Sequence, residues 1–265
     1  MSHPASTTTA DTAATEQRFA ALAAAMRAIA IEAGILTERM RMAGVTPETK
    51  EDGSLVTPAD RASEALIKAA VEGIRDAFDD ILPPTTTFVG EESIEAGDTP
   101  NTTDGHFFVV DPIDATKNFV QGTPGKDLYT INIALVLDNT PVLGVIHEPV
   151  SGDLIATLDR TQSVLSRPGK PDTPLTPGVK VDSEGKPLPL YRRGAMGYAD
   201  LIRGEREDIH HGKSYEWDTA AQDAILRTVG GSIRRHDDNT RLAYNKADQG
   251  FFNPAINGRM DGDQP

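Results

Sequence analysis

Asp111-Pro112-Ile113-Asp114-Ala115-Thr116-Lys117 is the stretch of this chain whose residue types could do the most chemistry. Its two carboxylates follow the apolar run Phe107-Phe108-Val109-Val110, which reads as the end of a buried strand. Pro112 stiffens the turn between them, and Thr116-Lys117 opens a short helix just beyond. Carboxylates fixed at a strand tip can hold hard cations, and free N–H groups at a helix start can hold a phosphate. Asp-Pro turns and aspartate helix caps use the same residues without any chemistry. Asp-x-x-Asp by itself therefore decides nothing.

Three more acidic sites stand in similar settings. Glu91 follows an apolar run in Phe88-Val89-Gly90-Glu91-Glu92-Ser93, with Glu92 reading as a surface or supporting acid. Asp218 sits in Trp217-Asp218-Thr219-Ala220-Ala221, at the start of an apolar-periodic segment that runs to Val229 and ends at Gly230-Gly231. Asp60 closes Thr57-Pro58-Ala59-Asp60 ahead of another helix. There Thr57 fits an N-cap, Pro58 a first-turn proline and Asp60 a capping-box acid, and Asp218 equally fits a cap of its own helix.

Taken in order, Gly90-Glu91-Glu92, Asp111-Pro-Ile-Asp114-x-Thr116 and Trp217-Asp218 resemble the inositol monophosphatase family of magnesium-dependent, lithium-sensitive phosphatases, from Glu16 to the C-terminus. Asp114-x-Thr116-Lys117, Glu216-Trp-Asp-Thr-Ala-Ala221 and Tyr244-Asn-Lys246 ahead of Asn253-Pro254 resemble its 3′(2′),5′-bisphosphate nucleotidase, or CysQ-like, branch. Asn118-Phe119 is closer to the inositol phosphatases. Two positions depart from the pattern. Ala115 replaces the glycine of Asp-Pro-(Ile/Leu)-Asp-Gly-Thr, and Ala195, after Gly194, lacks the hydroxyl of a Gly-Ser stretch that touches substrate.

The resemblance implies an α/β fold, an α+β sandwich layered α/β/α/β/α, and two or three Mg²⁺ ions per active site. Glu91, Asp111 and the carbonyl of Ile113 would hold the first ion; Asp111 would bridge to a second held with Asp114 and Asp218. Thr116 would pair with Asp60 to orient the attacking water, making Asp60, Glu91 and Thr116 the catalytic group. Glu91, Ile113, Asp114, Ala115, Thr116, Lys117, Gly194, Ala195 and Asp218 would line the substrate. The implied reaction converts 3′-phosphoadenosine 5′-phosphate to AMP and phosphate, by in-line attack of metal-bound water and without a phosphoenzyme, in sulfur metabolism. An inositol-1-phosphate or broad sugar-phosphate phosphatase is the alternative, and a non-catalytic metal- and nucleotide-binding homologue a third. The resemblance also allows a homodimer.

Composition narrows the partners. A net charge of −14 argues against a nucleic-acid polymer, leaving a small phosphorylated nucleotide or sugar. That field also repels a phosphate substrate, unless bound divalent cations reverse its sign locally. Zero cysteines excludes disulfides and thiolate catalysis and fits a cytoplasmic enzyme. No uninterrupted apolar run has the length of a membrane span, so no transmembrane segment is expected.

These residues need elements to carry them. Residues 1–15 read as a disordered tail, 16–150 as an N-terminal α+β half bearing the metal and phosphate site, and 151–265 as a C-terminal half completing it. Phe19, Leu22, Met26, Ile29, Ala33, Leu36 and Met40 recur at helical spacing, and Leu66, Ala70, Ile74 and Phe78 mark a second helix. Tyr129–Leu137 and Val142–Ile146 flank Asp138-Asn-Thr-Pro141 as a hairpin. Tyr198–Arg203 reads as helical, while the proline-rich residues 168–189 suggest a remodelled loop or a shortened sheet.

Overall fold

The computed structural model describes residues 9–50, 53–176, 197–202, 208–212 and 214–261. Helix α1 (Thr9–Ala43) buries the expected stripe of Phe19, Leu22, Met26, Ile29 and Ala33. It starts inside the stretch expected to be a tail, where Ala- and Thr-rich sequence continues the helix without adding to the stripe. Among the described residues it is the helix whose length and apolar composition would let it cross a bilayer; here its inner face covers a sheet. A small hairpin, β1 (Glu48–Thr49) and β2 (Leu55–Val56), leads into α2 (Pro58–Arg75).

The buried face of α2 is not the expected one. Ser63, Glu64, Ile67 and Val71 point inward, while Leu66, Ala70 and Ile74 only flank the core. The helix is rotated so that two carboxylates, Asp60 and Glu64, also face the protein.

A seven-stranded sheet follows, with β3 (Thr87–Gly90), β4 (Phe107–Asp114), β5 (Thr130–Leu137), β6 (Thr140–Glu148), β7 (Asp153–Thr157), β8 (Ser163–Ser166) and β9 (Thr173–Pro174) in spatial order. Short helices α3 (Glu91–Glu95) and α4 (Thr116–Gln121) leave the tips of β3 and β4. Strands β3 and β4 are parallel and every later pair is antiparallel. Asp138 and Asn139, both at positive φ, close the β5–β6 hairpin in two residues, as a type I′ turn requires. The proline-rich stretch contributes β9 at the sheet edge, where Pro174 costs no ladder bond that a neighbour needs.

Alternation in β4 and β5 sorts the core. Phe108, Val110, Ile131, Ile133 and Leu135 meet α1 and α2, while Phe107, Val109, Ala134 and Val136 face the other way. On that side lie α5 (Gly197–Ile202), then β10 (Asp208–His211), β11 (Ser214–Tyr215), α6 (Ala220–Thr228), β12 (Gly231–Arg235), β13 (Phe252–Asn253) and β14 (Ile256–Met260). Helix α6 is sandwiched between the large sheet and a second sheet ordered β10-β14-β12, and α5 packs beside it on that second sheet. The result is the expected layered α/β fold, with four layers built from the described residues. Gly144 on β6 is a close-approach position: a Cβ there would overlap the backbone of Ala221. Small residues on both sides thus let α6, and Asp218 before it, settle onto the sheet.

Candidate active site

Asp111 and Asp114 are three residues apart, so in a regular strand they would face opposite sides of the sheet. They do not, because β4 carries a bulge: Asp111 pairs with Asn132, but Asp114 with Thr130. Three steps on β4 thus oppose two on β5, and the extra residue falls in Pro112-Ile113, where proline has no N–H for the ladder. The bulge turns both carboxylates toward Asp218, so that one oxygen from each of the three lies within 4.8 Å of the others. Asp111 is buried and accepts from the Ile113 N–H at 3.0 Å; Thr130 Oγ1 donates to Asp114 at 3.2 Å.

Asp218 is not the cap of its helix. Thr219 holds that position, and Asp218 instead accepts from the Tyr215 N–H at 2.6 Å, which locks a turn and leaves its other oxygen for the cluster. Stacking of Tyr215 on the buried Trp217 fixes that turn.

Glu91 starts α3 and reaches the same centre from β3. It is grouped with Glu92 and Glu95, and Lys50 from the β1–β2 hairpin sits among the three, 3.3 Å from Glu91 and 2.9 Å from Glu92. Burial alone would lower the Lys50 pKa, but the charge of Glu91 and hydrogen bonds to Glu95 and Glu92 hold it above its usual value.

The electrostatics of these carboxylates would suit a cation. Burial, then Glu91, Asp114 and Asp218, push Asp111 well above the carboxylate range. Burial pushes Glu91 up to about 8 despite Lys50, with Asp218 adding to the rise. Asp218 is pushed up to about 7, first by burial and then by Asp114, and Glu92 to about 7, first by burial. Carboxylates raised together in this way are those a bound divalent ion would neutralise.

Asp60 makes the cap with one oxygen and meets Thr116 with the other. The capping box is complete, with the Thr57 N–H donating to Asp60 Oδ2 at 2.8 Å and Thr57 Oγ1 accepting from the Ala59 N–H. The other oxygen, Oδ1, accepts from Thr116 Oγ1 at 3.3 Å, and the same hydroxyl lies 3.0 Å from the Ile113 carbonyl. Asp60, Ile113 and Thr116 are therefore one hydrogen-bonded unit beside the aspartates. Ala115 separates Asp114 from Thr116 at φ 68° and ψ 47°, the left-handed region. An L-residue costs about 1–2 kcal/mol there, so the glycine of the family pattern answers a conformational need that Ala115 meets under strain.

Lys117 is exposed on the first turn of α4. Lys246 is engaged: Glu216, fully buried, takes its amine at 2.7 Å and accepts from the N–H groups of Asn245 and Lys246. The two stretches Glu216-Trp-Asp and Tyr244-Asn-Lys246 thus form one structural unit. Gly194 and Ala195 lie outside the described residues. Sequence reasoning missed Lys50 and Glu95; the spacing of Glu91, Glu92 and Glu95 along a helix was a signal for the second, and none existed for the first.

The family model for the inositol monophosphatase family matches residues 19–182. Inositol monophosphatase 3 of Solanum lycopersicum is 31% identical over 132 residues, a match spanning 50% of this chain and 42% of that protein. The 3′(2′),5′-bisphosphate nucleotidase CysQ of Aggregatibacter actinomycetemcomitans is 26% identical over 250 residues, covering 85% of this chain and 88% of the relative. The crystal structure of CysQ from Bacteroides thetaiotaomicron superimposes with a TM-score of 0.65 at 21% identity, over 92% of this chain and 99% of that one. The chain belongs to the inositol monophosphatase family.

Proposed function

We propose that this protein is a Mg²⁺-dependent phosphatase of 3′(2′),5′-bisphosphate nucleotides, converting 3′-phosphoadenosine 5′-phosphate to AMP and phosphate. The observation that carries the reading is the bulge in β4, which gathers Asp111, Asp114 and Asp218 within 4.8 Å of one another beside the Asp60–Thr116 pair.

The donors fit magnesium because all are hard oxygens and none is sulfur or imidazole. Glu91, Asp111 and the Ile113 carbonyl would hold one ion, and Asp111, Asp114 and Asp218 another. When bound, Mg²⁺ supplies Lewis-acid polarisation of the phosphoryl group and a water acidified toward neutral pH. The rest belongs to the chain. Asp60 draws the Thr116 hydroxyl toward Oδ1, leaving its oxygen lone pairs to orient a water for in-line attack. The Asn118 N–H already donates to the Ala115 carbonyl, so it is the N–H groups of Thr116 and Lys117, ahead of the first helical bond, that can donate to phosphate oxygens.

Lys117 stands on that turn and supports a second phosphate on the substrate; Lys246, bound to Glu216, does not. The cytoplasm is the compartment this reading expects. A second reading, an inositol-1-phosphate phosphatase, is favoured by Asn118-Phe119 and by the similarity to the tomato protein.

Phosphate release measured side by side on 3′-phosphoadenosine 5′-phosphate, 3′-AMP and inositol 1-phosphate tests the choice. A site built for the second phosphate leaves its donors unpaired with the other two substrates. The expected kcat/KM ratio is at least about tenfold, roughly 1.4 kcal/mol. Equal or reversed preference transfers the protein to the inositol phosphatases, and full activity in excess chelator removes the metal reading altogether.

A further inference from the structure

Glu64 is a buried carboxylate that the proposed reaction does not use. It lies on α2 one turn beyond Asp60, on the same face, and reaches across to α3. Its Oε2 accepts from the Glu92 N–H at 2.7 Å, and its Oε1 accepts from the Ser93 N–H at 2.9 Å and from the Ser93 hydroxyl. Those N–H groups belong to the first turn of a helix whose own N-cap residue, Gly90, has no side chain to offer them. Glu64 therefore supplies, from another helix, the acceptors that an N-cap side chain would offer α3.

Gly90 explains itself on the same contact. Its φ of −115° is ordinary extended backbone, so no conformational need selects glycine there. A Cβ at Gly90 would instead overlap the Glu64 carboxylate. The glycine ahead of Glu91 keeps open the place that Glu64 occupies.

Glu91 is the first residue of α3, between that contact and the aspartates. We infer that Glu64 is a positioning residue: by capping α3 it fixes where the Glu91 carboxylate is held and so sets the affinity of the cluster for a divalent cation. The inference rests on the metal-dependent reading given above. Glu64 touches neither substrate nor cation, and acts through the backbone of residues 91–93. A supporting group of this kind is worth about 10- to 100-fold in metal affinity.

The test uses Mn²⁺ as the probe, titrated calorimetrically into wild type, Glu64→Ala, Glu64→Gln, Gly90→Ala and the Glu64→Ala/Gly90→Ala double variant. Glu64→Ala should weaken Mn²⁺ binding by about 10- to 100-fold. Gly90→Ala should do the same by displacing Glu64, and the double variant should be no worse than either single one, because both break one contact. Glu64→Gln keeps one accepting oxygen and should fall between. Amide hydrogen exchange in chelator gives a readout free of metal: Glu92 and Ser93 should exchange faster in the alanine variants while the β4 and β5 amides stay protected. If Glu64→Ala does not fold, Gly90→Ala and Glu64→Gln carry the comparison. Wild-type Mn²⁺ affinity in the folded variants, or additive losses in the double variant, overturns the inference and leaves the phosphatase reading intact. A wild-type chain that binds no Mn²⁺ removes both.

Discussion

The site holds two carboxylate clusters that solve one problem in opposite ways. Glu91, Glu92 and Glu95 converge from a five-residue helix, and the protein answers their charge with its own cation, Lys50. Asp111, Asp114 and Asp218 converge from a bulged strand and a locked turn; among the described residues neither Asp111 nor Asp218 forms an ion pair. A lysine amine on a flexible stem can follow ligands that move. Carboxylates held by backbone N–H groups and a sheet bulge cannot relax away from one another. Burial and mutual repulsion therefore disfavour the ionised forms of Asp111 and Asp218, and a divalent ion would relieve both.

The largest expected effect breaks the rigid cluster. Asp111→Asn removes the carboxylate common to both proposed ions, and Mg²⁺-dependent phosphate release should fall below detection. Its amide oxygen can still accept from the Ile113 N–H, so the bulge survives. Thermal unfolding in chelator should move upward, because a neutral side chain replaces one whose ionisation the fold opposes. Loss of both activity and stability would mean that Asp111 serves the fold rather than a cation.

Asp60 borders the glutamate cluster, where its charge adds to the rise of Glu92, and sharpens the contrast between capping and catalysis. Asp60→Asn keeps an oxygen for the Thr57 N–H, so the cap should cost no more than about 1 kcal/mol. Orientation of the water through Thr116 is lost, and kcat should drop by about 10²-fold or more. A variant that turns over like wild type leaves Asp60 a cap alone.

Much of this was legible before any coordinates, and the failures share a cause. The strands β4, β5 and β6 were visible because sheet burial on both faces needs continuous apolar runs, and Asp138-Asn139 announces its turn. The capping box at Thr57 and Asp60 was visible because it is local. Lys50 was not, since nothing in a polar hairpin says which carboxylates it will meet. The inward face of α2 was misjudged because Ser63 and Glu64 do not count as apolar, yet Glu64 is buried by its hydrogen bonds. The bulge was also invisible: Pro112 suggested a rigid turn, whereas its effect is to bring residues three apart onto one side.

Both clusters should make stability depend on pH. Glu91 is pushed up to about 8, and Asp218 and Glu92 to about 7, from ordinary values of 4.5, 3.8 and 4.5. Between those limits the folded chain binds more protons than the unfolded one, so stability falls as pH rises. Their contribution is complete below the ordinary carboxylate range and is lost as pH climbs through 7 and 8. Unfolding temperatures in chelator should therefore decline from pH 5 to pH 8, and Mg²⁺ should flatten that decline by binding the ionised form. The decline should be shallower in Asp111→Asn, which removes a carboxyl that burial holds well above its ordinary range and that itself adds to the slope across these pH values. A flat profile in chelator would contradict the repulsion assigned to the rigid cluster.

The smallest expected effect concerns the residue joining that cluster to Thr116. Ala115 holds φ 68°, where its Cβ crowds the backbone and glycine does not. Ala115→Gly removes a strain of about 1–2 kcal/mol but adds unfolded-state entropy worth about 0.4–1 kcal/mol. The net expectation is a gain of up to about 1 kcal/mol, or roughly 2–4 °C in Tm for a chain of this size. Catalysis should change little, since the N–H groups of α4 keep their places in either residue. A loss of stability on introducing glycine would show that the left-handed turn is not imposed by the bulge and Thr116, and that Ala115 can leave it. Asp111 and Asp114, which precede the turn, would then be less rigidly held than the aspartate cluster requires.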